Sequence, residues 1–417
     1  MSKGLLKIAG GNSMKKLISI LTLIIVIILF SNNSWADDNE DLKVVSHGIN
    51  KFGFDLYKNL KKEYKDQNLF YSPTSISIAF VMAYAGARGD TEKQMADVLH
   101  FTLPQERLHS AYSKLIEKLK FVKDYELSIA NALWLQKDYK LLKEFLDTIG
   151  KYYKGGFYEV DYIKNHKDAC EKINDWVSKE TKGKIDNILK PEDITIDTRL
   201  VLTNAIYFKG KWLTEFDKQF TRDEDFYLIN GEKTKVKMMY QKSRFHYYEN
   251  NDFQLLEMPY KGNEVSMVII LPKTGKLETV ENNMNEKKLQ EWLNSTTKRE
   301  VKAYIPKFKF TLRYNLSEVL SNMGMKDAFS RRANFSGING NYDLYIGKVI
   351  HQAFVEVNEE GTEAAAATAL IMETKALIIE EPVVFKADHP FIFLIRDKET
   401  NSILFMGRVM NPDAGVE

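Results

Sequence analysis

The chain has 417 residues, 44% of them hydrophobic, with 59 Lys and Arg against 57 Asp and Glu and one cysteine. A charge balance this close to neutral argues against a partner held by broad electrostatics, such as nucleic acid, and a lone cysteine rules out an intramolecular disulfide, which leaves stability to the core. Chains beyond about 250 to 300 residues often divide, yet no Gly/Ser/Pro-rich linker, charge block or repeat marks a boundary here, so one large domain over residues 37–417 is expected.

Residues 14–36 open with Met14-Lys15-Lys16, continue with an apolar run from Leu17 to Phe30 and close with Ser34-Trp35-Ala36. That is the layout of a secretory signal peptide with cleavage after Ala36, and Met14 serves as well as Met1 for its start. The fourteen-residue run falls short of the ~20 residues a spanning helix needs. Removing residues 1–36 takes away four lysines and no acid, leaving 55 basic against 57 acidic residues, a net of −2. The expectation is therefore a secreted protein, extracellular or periplasmic, with no stable membrane association and no nucleic-acid partner. The lysines at 58, 61, 62 and 65 read as a solvated helix face.

The amino-terminal half reads as mostly helical. Ser72 caps a helix with Pro73 at its first position, and Thr91-Glu92-Lys93-Gln94 is a capping box for the next. Residues 127–136 alternate as a strand, a helix follows from Lys167 to Thr181, and Arg199–Tyr207 is an apolar run suited to a buried strand. Strand signals then dominate at Phe245–Tyr248, Phe253–Met258, Val265–Leu271, Val301–Phe310, Pro390–Ile395 and Ile403–Val409, with a helical interlude from Asn315 to Phe329. Segregated helices and strands predict an α+β fold rather than a doubly wound sheet.

No Gly-x-Ser-x-Gly elbow, His-Glu-x-x-His pair, Cys-x-x-Cys, Walker loop or Gly-x-Gly-x-x-Gly is present, so the chain does not read as an enzyme and no cofactor or metal is expected. Cys170 lies mid-helix among charged residues without a flanking signature and reads as a structural thiol.

The segment Glu359-Glu360-Gly361-Thr362-Glu363-Ala364-Ala365-Ala366-Ala367-Thr368-Ala369 suits two conformations. Locally, Thr362 can cap a helix, Glu363 favours its first turn and the alanines propagate it. Read with period two, Thr362, Ala364, Ala366, Thr368 and Leu370 share one small, uncharged face that could enter a sheet as a strand, with Gly361 absorbing the backbone rotation.

Residues 359–369 resemble the proximal hinge of the serpin family. Phe385–Phe393 looks like the strand after the serpin reactive loop, and Leu404–Pro412 is similar to the family's carboxy-terminal signature. Asn68–Ser77 resembles the start of its second helix, and Asn204–Trp212 its central strand and the following turn. The resemblance runs from about residue 40 to the carboxy terminus.

It implies a serpin-like α+β fold, mainly antiparallel, with an exposed reactive loop at about 359–384. It also implies a monomer that traps a target serine protease as a covalent acyl complex. His351, Asn204, Ser72 and Ser75 match a buried polar network at the opening point of the sheet, and Trp212 matches the site where the loop enters. Counting fourteen residues from the hinge glycine places the reactive bond at Lys375-Ala376, which suits a trypsin-like enzyme. Cleavage after Met372 or Leu377 would suit chymotrypsin-like or elastase-like enzymes, and some serpins trap cysteine proteases. Glu373, Glu380 and Glu381 flank the bond. A relative that has lost inhibition and acts as a carrier or chaperone is the alternative, against which the uncharged inward face counts.

Overall fold

The computed structural model describes residues 39–120, 124–362 and 381–414. Helix α1 (39–63) leads into β1 (Leu69–Tyr71) and α2 (Pro73–Tyr84), followed by α3 (Gly89–Leu99) and α4 (Gln105–Lys120). Strand β2 (Tyr125–Gln136), α5 (Lys143–Tyr153), β3 (Phe157–Val160), α6 (Tyr162–Glu180) and β4 (Leu200–Lys211) come next. A run of strands follows: β5 (Arg222–Tyr227), β6 (Lys233–Glu249), β7 (Phe253–Pro259) and β8 (Val265–Pro272). Helices α7 (Leu277–Asn283) and α8 (Glu286–Asn294) precede β9 (Thr297–Pro306) and β10 (Phe308–Asn315), and α9 (Ser317–Met323) and α10 (Ser336–Asn339) precede β11 (Lys348–Asn358). The chain ends with β12 (Gly361–Thr362), β13 (Val383–Lys386), β14 (Phe391–Asp397) and β15 (Ile403–Val409).

Among the described residues these strands form two sheets. The larger runs β1-β15-β14-β8-β7-β6-β9-β13, with β5 also on β6; the smaller runs β10-β11-β12-β4-β2-β3. Most pairings are antiparallel, but β11 and β4 are parallel neighbours from Lys348↔Val201 to Phe354↔Tyr207. The fold is α+β, as the segregation of elements predicts.

Helix α2 is the central pin of the core. Ser72 caps it by accepting from the Ser75 amide, Pro73 occupies the first turn, and all twelve residues are buried. Burying side chains the size of Ile76, Ile78, Phe80 and Met82 contributes about 1.5–3 kcal/mol each. One face of the smaller sheet packs on this core through Leu202, Ile206 and Phe208. The other face packs on α6 through Val201, Ala205 and Tyr207.

Several elements differ from the sequence expectations. The segment Asn68–Ser77 holds strand β1 before α2 begins. Helix α3 opens at Gly89, before Thr91, because the Thr91 hydroxyl accepts from the Asn334 amide (2.9 Å) and Gln94 bonds Asp327 (2.8 Å) instead of capping locally. Val301–Phe310 is not one strand: the chain changes sheets at Lys307, whose amide donates to the Lys237 carbonyl (2.8 Å). Phe385–Phe393 likewise divides into β13 and β14. The helical interlude is α9, ended by Gly324 at φ 128°, followed by a 3-10 turn at Asp327–Phe329. Strand β11 was not anticipated; it is buried on both faces, so it lacks the polar–apolar alternation that marks half-exposed strands.

Candidate functional site

The amino-terminal end of the hinge is part of the smaller sheet. Gly361 and Thr362 pair antiparallel with Asn358 and Val357 of β11 on one side, and with Lys211 and Gly210 of β4 on the other. They occupy the fork where β11 and β4, paired below, diverge above Phe354 and Tyr207. Gly361 is required there: its φ is +152°, and a side chain would meet the Gly210 carbonyl oxygen at 2.0 Å. Thr362 is 1% exposed, and its hydroxyl pairs with the Tyr260 hydroxyl (2.8 Å). The turn into the fork is closed by Asn358, whose side-chain oxygen accepts from the Glu360 amide (3.1 Å) and the Gly361 amide (3.3 Å).

Trp212 braces this turn from the β4 side. Its indole stacks on Tyr260 (4.6 Å between centroids) and donates to the Asn358 carbonyl (3.0 Å), while its amide donates to the Glu360 carbonyl (2.9 Å).

Two carboxylates hold the turn from the other side. Glu359, 5% exposed, accepts from Thr221 Oγ1 (2.8 Å) and Lys307 Nζ (2.7 Å). Burial by itself would raise its carboxyl pKa, but the hydrogen bonds from Lys307, the backbone and Thr221 outweigh that and hold it below the ordinary value. Glu360, 6% exposed, pairs with Lys218 Nζ (2.6 Å). Lys307 is the residue at which the chain changes sheets, so the corner between the sheets also anchors the hinge.

Below the fork lies a buried polar network. The Ser72 amide donates to His351 Nε2 (3.1 Å), so Nε2 is the bare nitrogen and Nδ1 carries the proton, which it donates to Asn204 Oδ1. Asn204 Nδ2 donates to Ser75 Oγ (2.6 Å) and to Asn131 Oδ1. Asn131 Nδ2 returns a bond to the Ser75 carbonyl (2.9 Å), and Ser72 Oγ donates to the Leu404 carbonyl (2.6 Å). His351 and Asn204 face each other across the β11–β4 pairing. One network therefore ties both strands to the head of α2, and every donor in it has an acceptor.

The structure thus brings together Ser72, Ser75, Asn204 and His351 in one cluster, and Trp212, Glu359, Glu360, Gly361 and Thr362 in another. Glu363, Ala364, Ala365, Ala366, Ala367, Thr368, Lys375 and Ala376 lie outside the described residues. Sequence reasoning missed Asn131, Tyr260, Lys218, Thr221 and Lys307. Asn131 carried a usable signal, being the one amide inside the apolar stretch Ile129–Leu133. Cys170 does not have the setting of a nucleophile: it is buried, its thiol is pushed up by burial first, and its nearest polar partners are the Leu189 carbonyl and Asn174 Nδ2.

Burial pushes the imidazole of His351 down to about 3. Its folded value lies below its unfolded one, so its contribution to stability is fully present above about pH 6.5 and is lost as pH falls toward 3. Protonating Nε2 also sets two donors against each other at Ser72. We expect this residue to cost about 1.4 kcal/mol of stability per pH unit below 6.5, read as a steeper acid slope in chemical unfolding than that of His351→Gln. The subtraction is needed because burial also pushes His109 down, to about 4. Equal slopes would contradict the assignment.

Comparison with known proteins agrees with this geometry. Residues 47–412 match the family described as Serpin (serine protease inhibitor). An uncharacterized serpin-like protein of Thermococcus kodakarensis is 44% identical over 376 residues, covering 89% of this chain and 87% of that protein. The leukocyte elastase inhibitor of Xenopus laevis is 42% identical, covering 88% and 99% of the respective chains. The crystal structure of uncleaved ovalbumin overlays with a TM-score of 0.81 at 32% identity, over 88% of this chain and 100% of its own. The chain belongs to the serpin family, and its fold is the one serpins share.

Proposed function

We propose that the protein is a secreted suicide inhibitor of trypsin-like serine proteases. It would present Lys375-Ala376 as bait and trap the acyl-enzyme by inserting the cleaved hinge as a strand between β11 and β4. The observation that carries this reading is the register of β12.

Thr362 lies opposite Val357 and Gly210. Continued antiparallel, that register sets Ala364 opposite Val355 and Phe208, Ala366 opposite Ala353 and Ile206, and Thr368 opposite His351 and Asn204. Ala365 is then the first residue that must part β11 from β4, whose direct pairing starts at Phe354↔Tyr207. The even-numbered hinge residues would face the α2 core, where only small uncharged side chains fit, and the sequence supplies them. The polar network sits where the parting strands would have to yield. An inserted strand replaces a parallel pairing by antiparallel ones on both sides, and about a dozen new hydrogen bonds at roughly 0.5–1.5 kcal/mol net give a drive on the order of ten kcal/mol. Strand insertion by serpin loops is a general example of strain released on a switch, and the register of β12 supports the same mechanism for this chain.

The protease supplies the nucleophile in this scheme, and the inhibitor's own groups orient and drive. Incubation with trypsin followed by a denaturing gel tests it: we expect an SDS-stable adduct and cleavage after Lys375. Cleavage without an adduct would point instead to a non-inhibitory carrier. Export is part of the same proposal, and a secreted chain beginning at Asp37 checks it.

A further inference from the structure

Helices α4 and α5 meet through His109 and Tyr153, and beside that contact lies a cleft of about 280 Å³ that shares no residue with the hinge or with the polar network below it. Spacing sets its walls. Gln105, Glu106 and His109 fall on one face of α4, and Asp147, Lys151 and Tyr152 on one face of α5, each within little more than a turn. Glu106, Asp147 and Lys151 are exposed at the rim. Lys151 Nζ lies over the Tyr152 ring (4.6 Å), and that ring stacks on the imidazole of His109 (5.9 Å between centroids).

His109 carries the observation that points to a ligand. It is 3% exposed and lines the cleft, yet its Nε2 has no hydrogen-bond partner among the described residues. Its Nδ1 lies 2.5 Å from the hydroxyl of Tyr153, which is buried and makes no other hydrogen bond among the described residues. If Nδ1 donated, the phenol hydrogen would lack an acceptor and Nε2 would be bare, leaving two groups unmet. With Tyr153 donating, one group is left, an Nε2–H without an acceptor. Burial pushes this imidazole down to about 4, so it is uncharged at neutral pH.

Helix packing accounts for the ring stack, but a buried donor without an acceptor stabilises nothing. Packing also leaves the rim unexplained. Asp147 is paired with Lys143, whereas Glu106 forms no ion pair among the described residues. An anion alone would face Glu106 and Asp147, and a cation alone would leave Nε2–H unmet; a molecule carrying both charges answers both.

We propose that this cleft binds a free α-amino acid as its zwitterion. The carboxylate accepts from His109 Nε2–H and Lys151 Nζ, the ammonium group donates to Glu106, and the Tyr152 ring walls the side chain. Small-molecule sites start at about 300 Å³, so the volume suits an occupant no larger than this. Nε2 is covered in the empty cleft, and entry swings the Lys151–Tyr152 pair outward, which the exposed position of Lys151 permits. The inference is independent of the inhibitor reading, and no outcome of a trapping assay bears on it.

Titration of the intact chain, labelled with 15N-histidine, tests the site at pH 7. The probes are L-leucine and L-phenylalanine, each against its amide, which keeps only the cation, and its N-acetyl derivative, which keeps only the anion. We expect at least one of the two amino acids to bind saturably at about millimolar concentration, as so small an occupant allows, and to move the Nε2 resonance that is absent from His109→Phe. The amide and the N-acetyl derivative should bind at least about tenfold more weakly, each having lost one charge-assisted contact. Glu106→Gln and Lys151→Gln alter exposed residues, so they keep the test open if His109→Phe folds poorly, and each should weaken binding about tenfold. No saturable shift with either amino acid at about 50 mM means a cleft that holds only solvent and overturns the proposal. Binding that leaves the Nε2 resonance in place, that is matched by the amide or the N-acetyl derivative, or that both rim variants retain within about twofold also overturns it.

Discussion

Thr362→Arg is expected to convert the protein from an inhibitor into a substrate, with the SDS-stable adduct lost and the loop cleaved at an undiminished rate. Thr362 already occupies its place in the sheet, 1% exposed and bonded to the Tyr260 hydroxyl at 2.8 Å. Across the fork it faces Val357 and Gly210, and a side chain at 210 would itself meet Phe208 at 2.7 Å, so the space is narrow. Among the described residues the side-chain partner of Thr362 is a hydroxyl and not a carboxylate, and an uncompensated buried charge costs about 3–5 kcal/mol. The chain at 362 would leave the sheet rather than bear that cost, removing the first rung from which further pairing proceeds. Insertion then starts later and more weakly, and the acyl-enzyme has time to hydrolyse. Because the bait is untouched, the initial cleavage rate should not change. Time courses on denaturing gels check this, and trapping by the variant at the parental yield would contradict the role given to the fork.

Glu359→Lys is expected to have the second largest effect, this time on the intact protein. The substitution removes a carboxylate held by Thr221 and Lys307 and sets a second ammonium group against Lys307, whose present distance to Glu359 is 2.7 Å. Breaking a buried pair and leaving one charge unpaired costs about 3–5 kcal/mol. The loss falls on the turn that fixes β12 in the fork, so the β11–β4 pairing is left open to strands from other copies of the chain. We expect a lower melting temperature and conversion of monomer to higher oligomers on mild heating, seen by size-exclusion chromatography. Lys218→Ala should be milder, since that side chain is 64% exposed and its ion pair with Glu360 is partly screened. A Glu359→Lys protein that melts like the parent and stays monomeric would contradict the clamp.

The carboxy-terminal strands could be read from the sequence because each is encoded locally, whereas the hinge segment is locally as good a helix as a strand and is set apart only by its resemblance. Strand β15 matches its predicted bounds, Ile403–Val409, and Gly361 declares a position where only glycine fits. The polar network could be read only by resemblance, since nothing near His351 says that it meets Ser72, 279 positions away. Lys307 was invisible because it lies inside a run of strand-forming residues, and only the tertiary fold shows that the chain changes sheets there. Tyr260 reads as an ordinary core aromatic until Thr362 and Trp212 are seen to converge on it. The capping box at Thr91 shows the converse, a strong local motif whose groups were taken by Asn334 and Asp327.

The central claim is that the hinge enters the sheet between β11 and β4 once the loop is cut, and thermal denaturation of cleaved against intact protein tests it most directly. A drive on the order of ten kcal/mol in a domain of this size raises the melting temperature by roughly ten degrees or more. We predict a rise of at least that size in protein nicked within residues 363–380, and its absence in nicked Thr362→Arg. A nicked protein that melts at or below the temperature of the intact one would contradict the account.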